Sequence, residues 1–230
     1  MTISDTLCFI PAKAASTRLK KKNILKLDGK ELIWYPINNA LKSGLFKPEN
    51  IILSTESPEI REIAKKHGAN VPYLREEKLA RDPYGVKDVV LDFLERFPVY
   101  KRFSTLCVLL PTAPLMMPED IQGAFEVFKN NPFNAVTSVT VSDHSALRAV
   151  YIREDNVEPI FPEFILKKSQ ELEPTYRLNG AVLFLNMEAF LENKSFFIKP
   201  LGAYTIPYER SIDIDDETGY LLAKFLKQNL

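Results

Sequence analysis

The chain has 230 residues, 46% of them hydrophobic, and its 30 Lys and Arg are balanced by 30 Asp and Glu. That length suits one large α/β domain spanning 1–230, and the absence of net positive charge argues against nucleic acid as a partner. No uncharged apolar run approaches the roughly 20 residues that span a bilayer, and the opening Met1-Thr2-Ile3-Ser4-Asp5 has no basic region and apolar core of a leader, so a cytoplasmic protein is expected.

In chain order, Leu7–Pro11 reads as a buried strand and Glu31–Ser43 as a helix, with Pro36 marking a kink or a late start. Asn50–Ser54 is a strand. Ser57–His67 is a helix with Ser57 as N-cap and Pro58 at its first position, ended by Gly68. Val71–Leu74 reads as a short strand and Gly85–Phe97 as a helix striped by Val89, Val90, Phe93 and Leu94. Ser104–Leu110 is continuously apolar, as in a sheet covered on both faces. Pro118–Asn130 is a helix and Ala135–Val141 a strand. This alternation predicts a doubly wound, mostly parallel sheet.

The rhythm breaks after Val141. Ala149–Arg153 reads as a strand and Glu158–Pro174 as irregular, which is long for a compact domain and marks a lid or an oligomer arm. Ala181–Asn186 is a strand, Glu188–Asn193 a short helix, Ala203–Ile206 and Ile212–Ile214 strands, and Glu217–Gln228 the closing helix. Cys8 and Cys107 fall inside buried strands and read as small core residues, and the two His residues stand apart, so a His-based zinc site is not expected.

Two stretches carry chemistry. After the first strand come small residues and then five cations, Lys13, Arg18, Lys20, Lys21 and Lys22, followed by Asn23. A loop of small residues brings backbone N–H groups close to phosphates, and this density of cations points to a polyphosphate. Near the C-terminus, Ser211-Ile212-Asp213-Ile214-Asp215-Asp216-Glu217 places Asp213 and Asp215 two apart. On a strand both would face one side, offering two hard oxygen ligands that suit Mg2+ on phosphate oxygens. Asp216 or Asp215 can alternatively cap the last helix, with Glu217 at its positive end.

The first stretch resembles the signature of the sugar-activating cytidylyltransferases, roughly I-P-A-R-x-x-S-x-x-x-x-x-K-N, through Ile10, Pro11, Ala12, Lys13, Ser16, Lys22 and Asn23, with Lys13 in place of the usual Arg. Arg75, Leu79, Ala80 and Asp82 resemble that family's R-P-x-x-L-A-x-D, and Leu109–Leu115 resembles L-Q-P-T-S-P-L with Leu110 in place of Gln. Phe161-Pro162-Glu163 and Ser169–Tyr176 look like the pseudaminic acid branch, whereas Arg177, Asn179, Gly180 and Ala181 look like the sialic acid branch. Asp143–Arg148 resembles the H-P-x-K/R segment, and His144 as a base is weaker there than as a packing or capping residue.

The resemblance implies a Rossmann-like nucleotidyltransferase with an extended dimerisation arm. It implies that CTP and an acidic α-keto sugar, a nonulosonic acid such as a sialic, pseudaminic or legionaminic acid, give CMP-sugar and pyrophosphate. An eight-carbon Kdo-type substrate and a non-catalytic nucleotide binder stay open. Lys13, Ser16, Arg18 and Lys22 would cradle the triphosphate, with Ala12 and Ala14 also in the nucleotide-binding set. Asn23 and Arg75 would hold the cytidine, and Asp82 belongs to the nucleotide-binding set. Arg148, Gln170, Tyr176, Arg177 and Asn179 would face the sugar, and Asp213 and Asp215 would hold Mg2+. Lys13, Lys22, Asp213 and Asp215 would be the catalytic set. Segment 142–180 would form the sugar-site and dimerisation insertion of a homodimer.

Overall fold

The structure is a computed structural model describing residues 5–16 and 18–229. Met1–Ser4, on which the reading of a leaderless start rests, lie outside the described residues, as do Thr17 and Leu230. A six-stranded sheet forms the centre. In chain order its strands are β1 (Thr6–Pro11), β4 (Ile51–Ser54), β5 (Thr105–Leu109), β6 (Ala135–Val141), β9 (Tyr176–Asn186) and β10 (Leu201–Thr205). Their spatial order is β10-β6-β9-β5-β1-β4. Strands β4, β1 and β5 are mutually parallel, as are β6 and β10, whereas β9 runs antiparallel between β5 and β6. The sheet is thus mostly parallel, with one reversed strand where the sequence alternation breaks.

Strand period explains the two cores. Along β1, Cys8 and Ile10 point to one face and Leu7 and Phe9 to the other, all fully buried. The first face packs Ile37 and Ala40 of α1 (Trp34–Ser43), Ile60 of α2 (Pro58–Lys66) and Ile121 and Phe125 of α4 (Pro118–Asn130). The second packs Phe93 of α3 (Val86–Arg96) and Phe190 of α5 (Met187–Asn193). Cys8 and Cys107 are register partners on β1 and β5 and are free, as core residues. A third cluster joins Ile212 and Ile214 to Leu27, Leu32, Leu115 and Ala223 of α6 (Glu217–Asn229). Among the described residues no helix is long and apolar enough to cross a membrane.

Five local readings are corrected. The first helix starts at Trp34, not Glu31, because Lys30–Glu31 (β3) pairs with Lys26–Leu27 (β2). The turn between them is Asp28-Gly29, both left-handed, an Asp-Gly hairpin turn. Pro36 then falls in the first helical turn, where its missing N–H costs nothing. Val71–Leu74 is not a strand: isolated bridges pair Asn70 with Ile52 of β4 and Leu74 with Thr55 just beyond it, and Pro72 lacks the N–H a ladder needs. Ile212–Ile214 is extended chain without a ladder partner, held by Ile214 N donating to Thr112 O at 2.8 Å. Strand β9 begins at Tyr176 rather than Ala181, and Glu158 and Pro159, read as the start of the irregular segment, end β8 (Asn156–Pro159), hairpinned on β7 (Val150–Arg153).

Candidate active site

Parallel strands put the C-terminal ends of β1, β4 and β5 on one edge, where ligands of open α/β sheets collect. A cleft of about 280 Å³ opens there. Its walls include Lys13, Ser16, Lys22, Asn23, Arg75, Asp213 and Asp215, seven of the residues singled out by sequence, together with Leu110 and Thr112.

The loop after β1 is braced from within the protein. Asn23, buried, donates from Nδ2 to Lys13 O at 2.7 Å and so fixes the loop where Lys13 projects. Ala12 N donates to Ser54 O at 2.9 Å, Ser16 N to Ala14 O at 3.0 Å, and Ala14 N to Glu56 Oε1 at 2.6 Å. The N–H groups of Ala12 and Ala14 are therefore committed within the protein. Ser16 Oγ, by contrast, is buried with no partner among the described residues.

Glu56 was not found from sequence. Its other oxygen accepts from Arg75 NH2 at 2.9 Å, and Arg75 also donates to Ser54 O at 2.9 Å. Both charged side chains are buried, and burial pulls the Arg75 pKa down while Glu56 opposes it. One carboxylate thus joins the loop after β1 to the Arg75 guanidinium in the cleft wall. Its position just beyond a parallel strand was the available signal.

The cationic tract divides. Lys22 Nζ meets Asp215 Oδ1 at 2.9 Å, and Arg18, at the rim, meets Asp215 Oδ2 at 2.8 Å. Lys21, in a left-handed turn, pairs instead with Glu59 of α2 at 2.8 Å, and Lys20 is exposed.

The two aspartates share the cleft, although their segment is not a strand. Ile212 and Ile214 anchor the apolar side. Asp216 Oδ1 accepts from Gly219 N at 2.8 Å and caps α6, so the capping role falls to Asp216. Asp213 is open to solvent at the cleft mouth but ringed by protein. That loss of water, with Asp215 nearby, raises its carboxyl above the usual range against the Thr112 hydroxyl, Lys22 and Arg177. Asp215 is held below that range, chiefly by its hydrogen bond to Lys22. Among the described residues no three acidic, His or Cys side chains cluster as a protein-only metal site. Two carboxylates fit Mg2+ that takes its remaining ligands from phosphates and water.

The sugar-facing expectations fare unevenly. Arg177 lies over the Tyr208 ring and close enough to Asp213 to influence it. Asn179 is buried, accepting from Ser138 Oγ at 2.6 Å and Ala181 N at 3.2 Å and donating to Ser211 Oγ at 2.9 Å. It is a lock between β6, β9 and the aspartate segment, which corrects its reading as a sugar contact. Arg148 is engaged by Lys167 O and by Ser169 Oγ at 3.3 Å, both in the segment that follows the β7–β8 hairpin. Gln170 and Tyr176 are exposed outside the cleft, and Asp82 is exposed beside a wall formed instead by Tyr84 and Gly85.

A second cavity, about 440 Å³, adjoins the cleft and shares Gly85, Val86 and Leu110 with it.

Residues 7–214 match the family model described as Cytidylyltransferase. This chain belongs to the cytidylyltransferase family. The enzyme is 34% identical over 222 residues to the pseudaminic acid cytidylyltransferase of Campylobacter jejuni subsp. jejuni, covering 96% of this chain and 95% of that protein. It is equally, at 34% over 226 residues, similar to the CMP-N,N'-diacetyllegionaminic acid synthase of Legionella pneumophila subsp. pneumophila, covering 96% of each chain. The solved structure of CMP:2-keto-3-deoxy-manno-octonic acid synthetase complexed with CTP superposes with a TM-score of 0.73 over 99% of this chain and 100% of that one. At 12% identity that likeness shows the shared fold.

Proposed function

We propose that this cytidylyltransferase activates a nonulosonic acid with CTP, giving the CMP-sugar and pyrophosphate. The carrying observation is one cleft in which Lys13, Ser16 and Lys22 face Asp213 and Asp215 at the carboxyl edge of the sheet. The names of the similar proteins from Campylobacter and Legionella support the sugar class.

The sugar's anomeric hydroxyl attacks the α-phosphorus in line. A new O–P bond forms, the bond from the α-phosphorus to the α,β-bridging oxygen breaks so that pyrophosphate leaves with its electron pair, and the hydroxyl proton passes to water. Catalysis is positioning and charge stabilisation, and one preorganised donor typically accounts for about 10²–10³ in rate. Lys13 and Lys22 meet the phosphate charge, and the Ser16 hydroxyl, with no partner among the described residues, donates to a phosphate oxygen. Arg75, held by Glu56, meets the nucleoside. Mg2+ held by Asp213 and Asp215 supplies further neutralisation of phosphate charge when bound.

The arm is assigned to assembly. Val150, Tyr151, Ile152, Val157, Phe161 and Leu166 are exposed, and Leu166 is 95% accessible. So much clustered apolar surface fits a homodimer that covers it. Pyrophosphate release from CTP in the presence of purified nonulosonic acids tests the reaction; none from any of them contradicts it.

A further inference from the structure

A further cavity, about 350 Å³, opens where α1, the turn into α4 and α6 meet. It shares no wall residue with the phosphate cleft. Its wall combines Trp34 and Lys42 of α1, Leu115 and Met117 of the turn, Arg210, and Lys227 of α6. On α1, Trp34, Asn38 and Lys42 recur every fourth residue and so share one helix face, while Ile37 and Ala40 face the core.

The charge of the wall is one-sided. Among the described residues it holds three cations, Lys42, Arg210 and Lys227, and no carboxylate. Asp120, fully buried and outside the wall, is already used twice: Oδ1 accepts from Arg210 NH2 at 2.6 Å and Oδ2 from Met117 N at 2.9 Å. Lys227 Nζ lies 5.6 Å from the Tyr35 ring centroid, and among the described residues neither it nor Lys42 has an ion-pair partner. Arg210 Nε is buried with no hydrogen-bond partner among the described residues. A buried donor left unpaired is costly, so this one calls for an acceptor.

A guanidinium and two ammonium groups suit a phosphate. The rest of the wall, with Trp34, Leu115 and Met117, offers an indole, an alkyl and a thioether surface to a flat ring. A concave, largely apolar cavity with a few convergent polar groups is the usual form of a small-molecule site. We propose that this cavity is a second ligand site, apart from the CTP cleft, for a small aromatic phosphate, its ring against Trp34 and its phosphate among Lys42, Arg210 and Lys227. Arg210 directly precedes Ser211, whose Oγ accepts from Asn179, and Leu115 packs with Ile212 and Ile214. An occupant therefore rests on residues that support the segment carrying Asp213 and Asp215.

Trp34 is the single tryptophan of the chain, so its emission reports on this cavity directly. The full chain is titrated with phenyl phosphate and with AMP, and with inorganic phosphate and benzyl alcohol, each of which carries half of the chemistry. A saturable change is expected with phenyl phosphate or AMP at a Kd of about 1 mM or tighter, with each half binding at least about tenfold more weakly. Tighter binding of AMP makes the ligand a nucleotide, and tighter binding of phenyl phosphate makes it a smaller aromatic phosphate. The double variant Lys42→Ala/Lys227→Ala should weaken binding about tenfold or more, with pyrophosphate release from CTP little changed. Lys42→Glu alone, at an exposed position, should weaken it in the same direction. Lys22→Ala, in the cleft, should leave it unchanged. No saturable change with either ring phosphate overturns the proposal, as does inorganic phosphate binding as tightly as both. Loss of binding in Lys22→Ala with none in the Lys42 and Lys227 variants also overturns it, because the anion then sits in the CTP cleft.

Discussion

Asp215 and Lys22, 193 residues apart in sequence, are joined at 2.9 Å between Oδ1 and Nζ, with the Lys22 side chain only 14% exposed. The pair closes the cleft electrostatically from both ends of the chain. Each partner serves a different ligand in the proposed reaction, the lysine a phosphate and the aspartate a metal ion.

Lys22→Ala should therefore weaken CTP binding by about 10–100-fold, the worth of one charge-assisted hydrogen bond. Lys20→Ala, at an exposed position, should change it little. Titration calorimetry decides: equal losses would mean a diffuse cationic surface.

Asp213→Asn and Asp215→Asn should each lower turnover by about 10² or more with the fold retained. Steady-state assays with and without EDTA check this. Full activity in both variants, or indifference to EDTA, removes the metal from the account.

Glu56→Ala should cost more stability than either aspartate variant. It strands Arg75, whose side chain is 2% exposed, and frees the Ala14 N–H. Breaking a buried pair from one side costs about 3–5 kcal/mol. Glu56→Gln keeps an acceptor for Ala14 N and should lose less. Urea unfolding of the two variants gives the comparison, and equal stabilities would show that the charge is not what holds the loop.

The hairpin behind the cationic loop should be acid-sensitive. His67 Nε2 donates to Glu31 Oε2 at 3.0 Å. Burial would raise the Glu31 carboxyl, but its backbone hydrogen bond and His67 outweigh it, so the folded pKa lies below the ordinary value. A carboxyl lowered on folding stabilises above its unfolded pKa, near 4.3, and that contribution is lost as pH falls through the lower folded value. Glu31→Gln should lower the melting temperature at pH 7 by about 1–4 °C and flatten its dependence on pH below about 5. Parallel pH profiles of the two proteins would rule this out.

For the arm, light scattering at micromolar concentration should give a dimer mass, with an interface above about 2,000 Å². A clean monomer ends the homodimer proposal. Mixing a Lys22→Ala chain with one carrying Phe161→Ala and Tyr176→Ala tests whether subunits share a pocket; recovered activity supports sharing, and none despite subunit exchange opposes it.

Sequence carried the frame of this fold because its strands and helices are strongly patterned. Leu7–Ile10 is apolar without interruption, and Pro118 marks the first position of α4. It carried the cleft because Lys22-Asn23 and Asp213-x-Asp215 are dense signals. It missed Glu56, because one acid beside a capping serine looks like an ordinary solvated helix start. It misread Asn179, because a buried hydrogen-bonding lock and a ligand contact use the same side chain, and only neighbours such as Ser138 and Ser211 separate them. The reversal of β9 was hidden, since the alternation that reveals a strand does not reveal its direction.

The central claim is the joining of CMP to a sugar acid. Phosphorus NMR of CTP incubated with a 5,7-diacylamino nonulosonic acid tests it most directly. The account predicts one pyrophosphate for each new CMP phosphodiester, confirmed as CMP-sugar by mass, with both lost in Asp213→Asn. Free CMP without the sugar adduct, or CTP left unchanged by every acid tried, would contradict it.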